Sequence, residues 1–387
     1  MLSIVLMVAG AGPAAAQITK LPRPDTARTS GYGSDVAISG DLAVVGASAE
    51  DTCGPNGGAA YVYVRASNGV DWTQVARLTP TPCRPNAFFG ASVAASDARV
   101  LVGATSEYFA EEKENAAYVF ARQADGTWQQ TARLTPDARR PEGRFAVDVA
   151  LDGDRAAVST AGSSDAAYHG AVYVFDYTPA TDAWQRTARL TAAHPPEDGV
   201  LGGAVALDGN RIAVAASTYF RDDPGGVYVF DKTRAGAWSS AAFLPGIDAF
   251  TISVALAGRR LVVGESRAGD DASGRVQVYT ERRPGAWHRT ATLHPMPPYA
   301  NGQFGALVAA DGPWLLATGY DEQLDKEFNI DRVVYVYKRT ARGWSQRLIL
   351  DIGQVDFGAA LAVDRGTAIV SHVPETGAGV VYVAQLP

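Results

Sequence analysis

Phe89-Gly90-Ala91-Ser92-Val93-Ala94-Ala95-Ser96-Asp97-Ala98-Arg99-Val100-Leu101-Val102-Gly103-Ala104 is the stretch that decides the fold. It reads as two short apolar strands joined by a tight turn at Ser96-Asp97, and edited copies of it recur along the chain. Aligned on their opening pair, seven units begin at Tyr32-Gly33, Phe89-Gly90, Phe145-Ala146, Leu201-Gly202, Phe250-Thr251, Phe304-Gly305 and Phe357-Gly358. A second apolar run follows each opening, as in Val44-Val45-Gly46-Ala47 and Val262-Val263-Gly264. The third run is aromatic, as in Tyr61-Val62-Tyr63, Tyr118-Val119-Phe120 and Tyr173-Val174-Phe175. The fourth opens on a Trp and closes on a Leu, as in Trp72 to Leu78 and Trp128 to Leu134.

Four strand-like runs repeated at a period near 50 residues are what a propeller looks like in sequence. Each run is short and rich in Val, Tyr, Phe and Ala, which suits a strand buried on both faces. One such sheet cannot cover its own faces, whereas seven packed radially can. The expected fold is therefore all-β: a seven-bladed β-propeller of four-stranded antiparallel blades.

Ring closure is legible at the ends. Gln17-Ile18-Thr19-Lys20-Leu21 matches Gln130-Thr131-Ala132-Arg133-Leu134 of a fourth strand, while the seventh unit stops after its third strand at Tyr382-Val383. Residues 17–22 are expected to supply the missing outer strand of the last blade, which removes an open sheet edge.

Phe-Gly followed by Val-Gly-Ala resembles the FG-GAP repeat, the blade of the integrin-alpha-type propeller. The resemblance spans residues 31–387. It implies a seven-bladed fold and, in that family, recognition and adhesion. Such blades often hold calcium in a long turn between the first two strands. Here Asp152-Gly153-Asp154 and Asp208-Gly209-Asn210 are too short to supply the six to eight oxygens a hard cation takes, so no metal site is carried over.

Composition narrows the partners. A formal charge of −7 speaks against nucleic acid, which calls for a basic face. Residues 1–16 read as a signal peptide: a short apolar run ending in Ala14-Ala15-Ala16. Cleavage would leave 17–387 as a secreted or periplasmic propeller with no segment to insert in a membrane. Cys53 and Cys83 fall in a loop and a blade-to-blade link that emerge on one face. An even count in an exported chain favours a disulfide over two free thiols. The repeated Trp residues are expected to pack rather than bind.

Function is expected in the loops, because the repeat itself is committed to packing. The non-repeating loops between second and third strands are acidic and aromatic. The candidate binding residues are Glu107, Tyr108, Phe109, Tyr219, Phe220, Asp222, Asp223, Tyr320 and Asp321. Exposed rings among acids suit a sugar face or a protein hot spot; the bland alternative tucks the rings under their own loops. His169, His194, His288, His294 and His372 show no metal-ligand spacing, and no Gly-x-Ser-x-Gly elbow occurs. The reading is a non-catalytic binding or adhesion module, monomeric and without cofactor, that contacts an extracellular protein or carbohydrate. The alternative is a carbohydrate-active hydrolase or lyase, which needs only two suitably placed carboxylates.

Overall fold

A computed structural model of the 387-residue chain describes residues 16–23, 31–105, 115–136, 144–161, 169–193, 199–218, 225–247, 252–269, 271–321, 331–353, 357–374 and 379–387. It contains seven four-stranded antiparallel sheets. Six run in sequence order from the axis outward; blade 2, for example, is Phe89–Ser96, Arg99–Ala104, Ala116–Arg122 and Trp128–Leu134. In blade 7 the fourth strand is Gln17–Lys20, paired antiparallel to Val380–Gln385.

The register of that closing pair is the one the sequence match requires. Lys20 lies opposite Tyr382, as Arg133 lies opposite Tyr118 in blade 2. Leu21 is 3% exposed and its N–H donates to Val381 O at 2.9 Å. The strand ends join by hydrogen bonds, so no blade is left with an open face.

The turn between first and second strands falls one residue later than expected. Ser96 pairs with Arg99, leaving Asp97-Ala98 as the two-residue turn. Its first position takes positive φ in every blade, supplied by Asp97 here, by Gly40, Gly153, Gly209, Gly258 and Gly312 in blades 1 and 3 to 6, and by Arg365 in blade 7. Such turns match the twist of the strands they join.

The Phe-Gly and Val-Gly-Ala motifs turn out to be two halves of one contact. In blades 1, 2, 3, 4 and 7 a bulge follows the opening pair and shifts the register of the first strand. The residue after the aromatic has positive φ: 95° at Gly90 and 60° at Ala146. The bulge of each blade lies on the second strand of the blade before. A Cβ on Gly46 would collide with Gly90 O, and one on Gly264 with Gly305 O. Glycine is needed at these positions for the close backbone approach. The ring beside it goes inward: Tyr32, Phe89 and Phe304 are fully buried. It meets the Tyr of the third strand edge-on, with centroids 5.6 Å apart in Phe89–Tyr118 and 5.7 Å in Phe145–Tyr173.

The apolar clusters therefore lie between blades rather than within them. Val44, Val62 and Leu78 of blade 1 share one cluster with Phe89, Val100, Val102 and Tyr118 of blade 2. The Trp residues that head outer strands pack as expected, three of them with an Arg stacked over the ring: Arg65 on Trp72, Arg155 on Trp238 and Arg211 on Trp287, at 4.8–5.3 Å.

Candidate functional site

Two regions can carry function: the axial channel and the face bearing the long loops. In the channel, the residue preceding the apolar pair of each first strand points at the axis. It is Asp35, Ser92, Asp148, Ala204, Ser253, Leu307 and Ala360 in blades 1 to 7, and all seven line a cavity of about 440 Å³. Blades 1 to 3 present a polar arc, and the other four are apolar except for Ser253.

Every polar member of this ring reaches into the next blade. Asp35 accepts from Val93 N at 2.7 Å, Ser92 from Val149 N at 3.1 Å, Asp148 from Val205 N at 2.7 Å and Ser253 from Val308 N at 3.0 Å. The second oxygens of the acids accept from the following amides, Val36 N and Val149 N, each at 2.9 Å. The Ser92 hydroxyl, between the two acids, donates to Asp148 at 3.2 Å. Enclosure pushes the Asp35 carboxyl up to about 7 against the pull of the Val93 and Val36 amides, and the charge of Asp148 adds to the rise. Asp148 is raised to about 6 by the same enclosure, opposed by the Val205 and Val149 amides.

A second ring of the same kind closes the turn end of the channel around a cavity of about 520 Å³. The last residue of each first strand accepts from the turn amide of the next blade: Ser39 from Asp97, Ser96 from Gly153, Asp152 from Gly209, Asp208 from Gly258, Asp311 from Arg365 and Asp364 from Gly40. Ala257 breaks the series in blade 5, and there Arg260 donates to Gly312 O instead. The turn acids are thus bonded to backbone amides. Among the described residues no three His, Cys, Asp or Glu side chains converge as a metal site.

On the loop face, Cys53 and Cys83 form a disulfide between the blade 1 loop and the link to blade 2, with Cα atoms 5.6 Å apart. Beside it Glu50, 4% exposed, accepts from Tyr61 Oη at 2.7 Å and from the Arg77 guanidinium. Of the nine sequence-derived candidates, Glu107, Tyr108, Phe109, Tyr219, Phe220, Asp222 and Asp223 lie outside the described residues. Tyr320 and Asp321 end the second strand of blade 6. Tyr320 is half-buried, its hydroxyl accepts from Arg332 at 3.1 Å, and that guanidinium lies over the ring at 5.4 Å. A ring held by an arginine at the rim of this face is neither tucked under its loop nor wholly free.

Sequence reasoning passed over Asp35 and Asp148. The signal was there: each is an acid in an otherwise apolar first strand, at the same phase, where the other blades carry Ser, Ala or Leu.

The FG-GAP repeat family matches the chain three times, at residues 16–63, 72–120 and 128–175. Each match opens on a fourth strand and runs through the first three strands of the following blade. The repeat is therefore offset from the blade by one strand, which is the offset that closes the ring. No curated protein matches the sequence. Among solved structures, Sqt1 of Saccharomyces cerevisiae is 11% identical with a TM-score of 0.49, covering 89% of this chain and 81% of that one. A putative 6-phosphogluconolactonase from Bacteroides fragilis NCTC 9343 is 12% identical with a TM-score of 0.50, covering 83% of each. Likeness at such identity speaks for the fold alone. The chain is a seven-bladed β-propeller that matches the FG-GAP repeat three times between residues 16 and 175.

Proposed function

We propose that the protein is an exported, non-catalytic recognition module whose loop-bearing face contacts an extracellular protein or carbohydrate. The observation that carries this reading is the commitment of the interior. Both channel carboxylates spend both oxygens on backbone amides that couple one blade to the next, so the wall is built to hold the ring rather than to turn over a substrate. The disulfide supports export, because such bonds persist in oxidising compartments. Residues 1–16 then act as the signal peptide. The contact surface comprises Glu107, Tyr108, Phe109, Tyr219, Phe220, Asp222 and Asp223 together with Tyr320 and Asp321. The arginine-backed ring of Tyr320 supports an aromatic platform there.

A glycan and protein array probed with the folded protein and with a Tyr108→Ala/Tyr219→Ala/Tyr320→Ala variant tests the reading. The expected result is at least a tenfold loss of binding in the variant. Binding that survives loss of all three rings places the contact elsewhere.

One observation favours a second reading, a carbohydrate-active enzyme: two carboxylates with raised pKa share a cavity and a bridging serine. Turnover of any polysaccharide that Asp35→Asn and Asp148→Asn each abolish would replace the binding reading with this one.

A further inference from the structure

The face opposite the loops carries a charge pattern that the proposed contact does not use and that pairing within the chain satisfies only in part, as in Arg65–Asp41 at 3.4 Å and Arg99–Asp154 at 2.7 Å. It is made of the two-residue turns after the first strands and the short turns after the third, so it is flat. At the turns of blades 1 to 3 the exposed acids are Asp41, Asp71, Asp97, Asp125, Asp154 and Asp182, beside the exposed base Arg122. At those of blades 5 and 6 the exposed residues Arg259, Arg282, Arg283, Arg339 and Arg342 stand with the half-buried Arg260. The acids nearest to them are shared: Glu281 accepts from Arg211 at 2.9 Å and reaches Arg259 only at 4.0 Å, and Asp311 accepts from Arg365 N at 2.8 Å. The acidic sector centres on blade 2 and the basic one between blades 5 and 6. In a ring of seven these centres are half a turn apart.

We propose that two copies of this chain associate turn face to turn face, about a two-fold axis in the plane of contact, so that the basic sector of each covers the acidic sector of the other. The axis that runs perpendicular to the line joining the sectors brings unlike charges together at both places. The axis along that line would set like against like. An isologous contact needs a self-complementary surface, and opposite charges diametrically placed on one flat face provide it. Crowding in the basic sector points the same way: Arg260, enclosed at the channel mouth and next to Arg339, is held below the ordinary guanidinium range, and a facing acid would relieve it. This association departs from the monomer expected of the sequence. It leaves the loop face free and does not rest on the proposed function.

Exposed charge pairs are individually weak and screened by salt, so the contact is low in affinity and sensitive to ionic strength. Sedimentation equilibrium of the folded chain tests it. Raising salt from about 0.01 M to about 1 M shortens the screening length from about 30 Å to about 3 Å, and the dimer dissociation constant is expected to rise on the order of a hundredfold. Arg282→Glu/Arg283→Glu/Arg342→Glu is expected to be monomeric, as is Asp41→Lys/Asp71→Lys/Asp154→Lys. Their mixture is expected to restore a heterodimer, because each then meets the sector it lacks. A wild-type chain monomeric at low salt overturns the proposal without any variant. So does a mixture that stays monomeric while thermal melts show both variants folded. A chain that stays monomeric yet binds dextran sulfate through the basic sector gives that sector to a foreign polyanion, and self-pairing falls.

Discussion

The loop face of blades 1 and 2 and that of blades 5 and 6 make the same interlock in two ways. In the first, Asn86, Phe88 and Phe89 donate their amides to Pro55, Asn56 and Gly57. In the second, Asn301, Gln303 and Phe304 donate theirs to Asp271, Ala272 and Ser273. The positive-φ residues correspond: Asn56, Asn86 and Phe88 against Ala272, Asn301 and Gln303. The glycines correspond as well, with Gly58 bridging Phe89 and Gly274 bridging Phe304. The first pair adds the disulfide, while the second has none. The second instead buries its acid fully: Glu265 is 0% exposed and accepts from Arg275 at 2.7 Å and from Gln277. A covalent bond is therefore an addition to an interlock that backbone geometry already makes.

Removing the acid of each interlock gives the largest contrast. Glu265→Ala leaves the buried Gln277 and the one-third-exposed Arg275 without their shared acceptor and is expected to cost about 3–4 kcal/mol. Glu50→Ala is expected to cost less: Arg77 and Arg275 are alike about one-third exposed, but at Glu50 the disulfide still ties loop to link. Urea unfolding of the two variants measures the difference, and equal losses would mean that the covalent bond shares no load with the acid.

Cys53→Ser/Cys83→Ser comes next. The bond spans 30 residues, for which loop-closure entropy gives about 3.6 kcal/mol. The amides of Asn86 and Phe88 are expected to keep their exchange protection in the folded variant, as those of Asn301 and Gln303 do without a disulfide. Loss of protection confined to residues 51–58 and 82–88 would show that blades 1 and 2 depend on the covalent bond as blades 5 and 6 do not.

A pH-dependent effect carries the comparison to the channel, where Asp35 and Asp148 occupy the position that Ala204, Leu307 and Ala360 hold in other blades. Their folded pKa values, about 7 and about 6, lie above the ordinary 3.8. The folded state thus binds protons the unfolded state has released, and the stability these groups contribute is full only below about pH 4 and is lost progressively as pH rises through the folded values near 6 and 7. Between pH 5 and pH 8 the loss is on the order of 4 kcal/mol in sum. Melting curves at pH 5 and pH 8 are expected to differ less in Asp35→Asn/Asp148→Asn than in the wild type. An unchanged difference would mean that the two acids ionise freely in the folded protein.

What could be read in advance follows from what repeats. The Phe-Gly and Val-Gly-Ala glycines were legible because only glycine permits the backbone contact between Gly46 and Gly90, and that demand recurs in most blades. Lys20-Leu21 could be matched to Arg133-Leu134 because the fourth strand keeps one register. Asp35 and Asp148 break the period by a single residue and became visible only once the first strands were set around an axis. The charge division of the turn face was hidden for a similar reason: Arg282 and Asp71 lie far apart along the chain, and only the circle places their sectors opposite one another. The loops holding Tyr108 and Tyr219 do not repeat, so no register carried from blade to blade could place them.

Everything above depends on a ring that the two chain ends close. Thermal melting of a chain lacking residues 17–22, set beside one lacking only residues 1–15, tests this most directly. Without Gln17–Lys20 and Leu21, Tyr382 and Val383 lose their paired strand, and the midpoint is expected to fall by several degrees, about 4 °C or more, while the shorter deletion leaves it unchanged. A melting curve that the loss of 17–22 does not move would contradict closure by the N-terminal strand.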